Sequence, residues 1–315
     1  MKKYLIAISV TTSTFSLILP HPVFAISLYG AGSLNDSLTE VANSFTQEYK
    51  IPVTTRFGPS GLTRELIEQE LSQTGKSADV FASADINNPL ALFEQGLSKP
   101  VETFVNNRLV AVARSDLSLT SNNLLSKLLN PQIRLGTSTP LADPLGDYTQ
   151  EVFRKADQIN PGSFQQLNQK ALRLPGGANS PPVPAGRVNL VYFLEDTQQV
   201  DIYLSYYTIA LSALKQSSNL QVVELSENLA VKADYGLTAL KDSSLEGTKL
   251  AEYILSPIGQ KILTTYGFTA ARTTSIPENQ SVGGIVLAIG IAFAMQKKLA
   301  STKKLRLDSK NPSIQ

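Results

Sequence analysis

Short apolar runs, rich in β-branched and aromatic residues, alternate with longer amphipathic stretches along most of the chain. We predict strands at residues 26–29, 53–57, 80–82, 109–113, 134–136, 202–206 and 220–224. Residues 34–49 place Leu38, Val41 and Phe45 at helical spacing, so this stretch is predicted to be a helix. The alternation of strands and helices predicts an α/β fold with a mostly parallel, doubly wound sheet.

Two segments rich in turn-forming residues interrupt this pattern, at residues 137–147 and 175–186. The second contains the pairs Gly176-Gly177 and Pro181-Pro182. We predict both to be loops. Long loops inside a compact chain often form binding sites.

The first 25 residues have the pattern of a secretory signal peptide. Lys2 and Lys3 precede an uncharged apolar stretch, and Ala25 closes a small-residue cleavage site, so the mature chain is expected to begin at Ile26. The chain has no cysteine, which excludes both a lipid anchor on an N-terminal Cys and disulfide bonds.

The C-terminal region, residues 271–315, contains a second membrane-directed segment. Residues 282–295 are uncharged and precede Lys297 and Lys298, but the run is shorter than the roughly 20 residues that span a bilayer. With Ile276-Pro277-Glu278 before it and the basic cluster 297–304 after it, the region resembles a PEP-CTERM sorting tail. The resemblance implies processing by an exosortase-type peptidase, and a permanent C-terminal membrane anchor is the alternative.

Charge is distributed unevenly along the chain. The formal net charge is +2, residues 1–25 contribute +2 and residues 271–315 contribute +5, so residues 26–270 carry −5. A large basic surface is therefore absent from the predicted globular part, and nucleic acid is not an expected partner.

The only histidine, His21, lies in the predicted signal peptide. The mature chain thus lacks His and Cys, which excludes most nucleophile–base pairs and most transition-metal sites. Enzymes that use paired carboxylates or a Ser-Lys pair stay open, but no pattern places such a pair together. We expect a protein that is not an enzyme and has no cofactor.

Small hydroxyl and glycine residues stand at two predicted strand-to-helix junctions, Gly30-Ala31-Gly32-Ser33 and Gly58-Pro59-Ser60-Gly61. A helix that begins at such a loop offers unpaired N–H groups and the positive end of its dipole to an oxyanion. Ser is also an ordinary helix N-cap. The first junction lacks the third glycine of a dinucleotide-binding fingerprint and the Gly-Lys-Ser/Thr ending of a P-loop, so both are excluded.

Several motifs together resemble the molybdate ABC-transporter substrate-binding family. They are Leu28-Tyr-Gly-Ala-Gly-Ser-Leu34, Phe57-Gly-Pro-Ser-Gly-Leu-Thr-Arg64, Ala78-Asp-Val-Phe-Ala-Ser-Ala-Asp85, Asn107-Arg-Leu-Val-Ala-Val-Ala113, Pro184-Ala-Gly-Arg187 and Tyr266-Gly-Phe268. The resemblance covers residues 26–269. It implies a two-lobed type II periplasmic-binding-protein fold, with two doubly wound sheets joined by a hinge, that binds molybdate or tungstate between its lobes for an ABC-transporter permease.

By position, the resemblance implies ligand contacts from Ser33, Ser60, Asp143, Gly146, Arg187, Val188 and Tyr206. The alternative is that Asp143 is a turn-forming residue before Pro144. Otherwise its carboxylate must point away from a dianion, accept hydrogen bonds from the protein, or coordinate the metal of the oxyanion, which some relatives hold in six-fold coordination.

The predicted lobes comprise residues 26–106 with 231–270, and residues 107–230, with crossing strands near 106–108 and 230–233. Two functional alternatives remain: a binder of sulfate or phosphate, and a surface-displayed oxyanion sensor or scavenger without a permease. Molybdate and sulfate carry the same charge, so pocket size and donor spacing must separate them.

Overall fold

The structure, a computed structural model, describes residues 25–177 and 180–271. Its strands are β1 (Ile26–Ala31), β2 (Val53–Gly58), β3 (Val80–Ser83), β4 (Glu102–Arg114), β5 (Leu135–Thr137), β6 (Leu172–Arg173), β7 (Ile202–Tyr206), β8 (Leu220–Glu224), β9 (Lys232–Ala239) and β10 (Thr269–Ala270). Its α-helices are α1 (Asn35–Tyr49), α2 (Ser60–Thr74), α3 (Asn87–Glu94), α4 (Leu124–Leu129), α5 (Pro144–Ile159), α6 (Ser163–Lys170), α7 (Asn189–Val191), α8 (Tyr207–Gln216), α9 (Leu245–Leu255) and α10 (Pro257–Thr265).

The long strand β4 connects two groups of strands. Its first part pairs with β9, which continues to β3, β1 and β2, and its second part pairs with β7, which continues to β5 and β6. Strands β10 and β8 pair with the first and second parts of β4, respectively. Val110 and Val112 at the centre of β4 are fully buried, as are Ala111 and Ala113 between and after them. This continuous apolar run is typical of a strand that is covered on both faces.

The sheet is mixed rather than mostly parallel. Strand β1 is parallel to β2 and β3, and β5 is parallel to β6 and β7. Every pairing of β4 or β9 is antiparallel. The apolar pattern alone does not predict β9, because Lys232, Asp234 and Gly236 interrupt it; only a crossing strand near residues 230–233 was predicted, and β9 begins at Lys232.

The predicted bounds of β7 and β8 are those of the structure, whereas the predicted loop at 137–147 is wrong in its last part. Helix α5 begins at Pro144, and the Asp143 carboxylate caps it by accepting a hydrogen bond of 3.0 Å from the Leu145 N–H. An Asp N-cap followed by proline is a strong helix start, because proline needs no hydrogen-bond acceptor in the first turn.

Helix α1 shows how the apolar pattern fixes the position of a strand-to-helix junction. Leu38, Val41 and Phe45 are fully buried on one face, and the Phe45 ring packs edge-on against Tyr253 of α9 with the centroids 5.4 Å apart. A 3₁₀ turn, Gly32–Leu34, precedes the helix. Burial of this face therefore holds the Gly32-Ser33 turn at the end of β1.

The strands near the predicted lobe boundary pair directly: Asn107 lies opposite Ala233, and Arg108 lies opposite Lys232. The division into lobes at these residues stays a prediction. Within the described ranges, no helix is long and apolar enough to span a bilayer. Nearly all of the predicted signal peptide and almost the whole predicted sorting tail, residues 1–24 and 272–315, lie outside those ranges.

Candidate anion-binding site

A cavity of about 550 Å³ lies at the carboxyl ends of strands from both groups. Residues at or just after the ends of β1, β2, β3, β5 and β7 line it: Ser33, Ser60, Ala84, Ser138 and Tyr206. The carboxyl ends of strands are the usual ligand sites of open α/β sheets. The volume falls in the range of small-molecule sites, roughly 300–1,000 Å³.

Ser33 lines the cavity from the turn after β1 and is linked by hydrogen bonds to β9 and β4. Its Oγ lies 2.8 Å from the phenol oxygen of Tyr235 on β9, and that oxygen accepts a 3.2 Å hydrogen bond from the Asn107 amide on β4. When Tyr235 donates to Ser33, the Ser33 proton is free for a ligand. The serine predicted from the first junction is thus held by a buried network.

Ser60, the first residue of α2, is fully buried and lines the cavity. Its Oγ accepts a 3.1 Å hydrogen bond from the backbone N–H of Ala84. Because that bond uses a lone pair of the hydroxyl oxygen, the hydroxyl proton stays available to an anion.

The start of α2 also contacts the segment before α5. The N–H groups of Gly61 and Leu62 donate to the Ala142 carbonyl at 3.0 and 3.4 Å. A Cβ on Gly61 would lie 2.9 Å from the same carbonyl oxygen and still closer to that of Leu141, so only glycine allows this approach. Two of the N–H groups at the start of this helix therefore bind a carbonyl of the protein and are not available to a ligand.

Tyr206, at the end of β7, contributes a buried phenol. Its ring packs edge-on against Tyr148 and Tyr235, with centroid distances of 6.3 and 5.6 Å. Burial raises the pKa of the Tyr206 phenol well above its ordinary value, so the group keeps its proton at neutral pH. Its oxygen has no hydrogen-bond partner among the described residues.

Asp143 brings a carboxyl group to the wall of the cavity. It accepts hydrogen bonds from the Ser138 hydroxyl at 2.6 Å and from the Leu145 N–H. Burial raises the pKa of this carboxyl, the two hydrogen bonds lower it in part, and the charges of Asp147 and Asp85 add to the increase. Asp143 is therefore the N-cap of α5, and in its ionised form it would repel an anion in the cavity.

The other predicted residues are engaged with the protein. The Gly146 N–H donates to the Asp143 carbonyl at 2.9 Å, and Gly146 is not among the residues that line the cavity. Arg187 and Val188 do line it, but the Arg187 guanidinium pairs with Asp196 at 2.6 Å and the Val188 N–H donates to the Gln216 amide oxygen at 3.0 Å.

Among the hydroxyl residues that line the cavity, sequence reasoning missed Ser138, Tyr203 and Ser205. The alternation of side chains along β7 places Tyr203 and Ser205 on one face. The sequence alone does not tell which face of β7 borders the cavity, because that depends on the strand order around it.

Comparison with known proteins identifies the family. The family model described as "Bacterial extracellular solute-binding protein" matches residues 26–269. An uncharacterized protein of Pasteurella multocida is 33% identical over 249 residues, which is 78% of this chain and 99% of that protein. The molybdate-binding protein ModA of Escherichia coli is 24% identical over 253 residues, 78% of this chain and 88% of that protein.

A solved structure extends the likeness to the fold. The sulfate-binding protein SubI of Mycobacterium tuberculosis superposes with a TM-score of 0.62 at 17% identity, over 79% of this chain and 87% of that chain. The predicted two-lobed, type II periplasmic-binding-protein fold is thereby confirmed.

Proposed function

The chain belongs to the bacterial extracellular solute-binding protein family, and we propose that it captures an oxyanion in the described cavity and delivers it to a permease. Members of this family are exported proteins of the ABC-transporter type. The observation that supports this most directly is a set of hydroxyl groups at the carboxyl ends of the strands. Ser33 and Ser60 come from one group of strands and Tyr206 from the other. All three can donate to an anion without bringing a net charge.

We propose molybdate or tungstate as the ligand. The motifs around Ser33 and Ser60 support this assignment, as does the likeness to a protein named for molybdate binding. A sulfate or phosphate binder is the alternative, and the fold likeness to a sulfate-binding protein keeps it open. The discriminating property is size, since molybdate and sulfate carry equal charge.

Binding on this proposal closes the predicted lobes around the anion. Ser33 and Ser60 belong to the predicted first lobe and Tyr206 to the second, so an anion that contacts all three bridges the lobes. Such a ligand binds the closed form better than the open form and shifts the population toward it. The permease then recognises the closed form.

Isothermal titration of the purified chain with molybdate, tungstate, sulfate and phosphate tests the proposal. Ser33→Ala and Ser60→Ala should each weaken binding roughly 10- to 100-fold, because each removes a hydrogen bond to a charged ligand. Ser72→Ala is the control, since the Ser72 hydroxyl on α2 donates to the exposed Gln69 carbonyl. Unchanged affinity in both site variants would contradict the proposed site.

We further propose that the C-terminal tail decides where the protein works. If an exosortase-type enzyme removes it, the binding part is released or displayed. If it is retained, it tethers the protein to the membrane, which also suits a sensor or scavenger without a permease. Mass spectrometry of the mature C-terminus distinguishes these forms.

A further inference from the structure

Three buried hydroxyl groups on one strand lack hydrogen-bond partners. They are the Tyr203 and Tyr206 phenols and the Ser205 hydroxyl, all on β7. In the described part of the chain, no other buried side-chain nitrogen or oxygen lacks a hydrogen-bond partner. All three residues line the cavity. Buried polar groups in native proteins nearly always have partners, so a cluster without them requires an explanation.

The Tyr203 ring is held firmly by its neighbours. Gly136 lies opposite it on β5, and a Cβ there would come 2.6 Å from the Tyr203 ring. The Phe193 ring stacks on the same tyrosine with centroids 6.4 Å apart. Burial raises the pKa of the phenol, the charge of Asp143 raises it further, and the nearby Ser138 hydroxyl lowers it in part. The phenol is thus a fixed, protonated donor beside the Ser138–Asp143 pair.

Ser205 adds a second donor at the next position on the same face of β7. It is 1% exposed, so solvent does not satisfy its hydroxyl. Its neighbour Tyr206 is held between two tyrosine rings and has the third unpartnered hydroxyl. A ligand with several acceptor oxygens in the cavity would satisfy all three groups together, and an apolar ligand would leave them unpaired.

We propose that Tyr203 and Ser205 are binding residues that, with Tyr206, donate hydrogen bonds to the oxygens of the bound oxyanion. The proposal rests on the proposed function and adds two residues to its site. The donors are neutral and their positions on one strand are fixed relative to each other. Their spacing therefore discriminates between oxyanions of different size, and Tyr203 and Ser205 are specificity-determining residues.

The test compares Tyr203→Phe and Ser205→Ala with wild type by titration with molybdate, tungstate, sulfate and phosphate. Each variant should weaken binding of the preferred anion roughly 10- to 100-fold and change the ratio of affinities between molybdate and sulfate. Without ligand, both should unfold at the same temperature as wild type or a higher one, because the lost hydroxyl had no protein partner.

Tyr253→Phe is the matched control. Its hydroxyl lies 2.8 Å from the Ser44 hydroxyl, away from the cavity, so this variant should lose thermal stability and keep wild-type affinity. Wild-type affinities in Tyr203→Phe and Ser205→Ala, with weakened binding in Ser33→Ala, would overturn this inference and leave the proposed function standing. A wild-type chain that binds none of the four anions would overturn both.

Discussion

At the scale of single residues, Asp143 places a carboxyl group where the anion is expected. Its raised pKa means that, in the pH range just above the ordinary carboxyl value, the folded chain holds a proton that the unfolded chain has lost. The contribution of Asp143 to stability therefore falls as the pH rises through that range. A bound dianion favours the protonated carboxyl further, so binding is coupled to proton uptake.

We expect affinity for the anion to decrease as the pH rises from about 4 to 8, measured by titration calorimetry across that range. Asp143→Asn removes the charge but nearly keeps the shape of the N-cap, so it should bind more tightly than wild type at the upper end and show a flatter pH profile. Asp157→Asn is the control, because the Asp157 carboxylate accepts hydrogen bonds from the Gly162 and Phe164 N–H groups and does not line the cavity.

Equal pH slopes in wild type and Asp143→Asn would contradict the assigned role. A loss of affinity in Asp143→Asn at every pH would mean that the carboxylate itself contacts the ligand, as six-fold metal coordination requires.

The sequence predicted only some of the residues at this site. Ser33 and Ser60 were predictable because each stands at a strand-to-helix junction, a local feature that turn chemistry and strand pattern reveal. Tyr203 and Ser205 were not, although β7 itself was predicted with its observed bounds. Which face of a strand borders a cavity depends on strand order and on packing such as that of Gly136 against Tyr203.

At the scale of elements, the contact between α2 and the segment before α5 joins parts of the chain that belong to different predicted lobes. It depends on Gly61, whose N–H donates to Ala142 and whose missing side chain allows the approach. This contact can form only when the two elements lie together. On the proposed lobe closure, it would stabilise the closed form.

We predict that Gly61→Ala weakens anion binding by at least roughly tenfold, because its methyl group would overlap the carbonyl groups of Leu141 and Ala142 and separate the two elements. Titration measures the affinity, and small-angle X-ray scattering should show a larger radius of gyration with ligand than for wild type. The thermal unfolding midpoint without ligand is the control for folding. Wild-type affinity and scattering would show that closure does not need this contact.

At the centre of the sheet, the sequence predicted a strand at 109–113 and crossing strands near 106–108 and 230–233, but not the full extent of β4 and β9. Polar residues interrupt the apolar pattern at Asn106 and Asn107, which are buried in the first part of β4, and at Lys232 and Asp234 of β9. Asn107 donates to Thr208 and to Tyr235, and Asn106 donates to Asp234. These side chains are satisfied by partners far away in sequence, so a pattern that assumes an apolar strand interior misses them.

At the scale of the whole molecule, the net negative charge of the globular part gives no long-range attraction to the proposed anion. Residues 26–270 carry −5. Among the described residues that line the cavity, the basic side chain is that of Arg187, which Asp196 neutralises. The neutral hydroxyl donors act only at contact distance. The field of the globular part therefore opposes the approach of an anion.

We predict that chain 26–270 binds the anion faster as sodium chloride is raised from roughly 0.01 to 0.15 M, where the Debye length falls from about 30 to 8 Å and screens the repulsion. The increase should be less than roughly tenfold.

Stopped-flow tyrosine fluorescence can follow it, because the protein has no Trp and, of its 11 Tyr, only Tyr4 lies outside residues 26–270. Chain 26–315 is the control: its tail adds +5 and brings the net charge to zero, so its association rate should depend less on salt. If the association rate of chain 26–270 instead falls with salt, a cationic side chain faces the ligand. Arg187 would then have to leave Asp196.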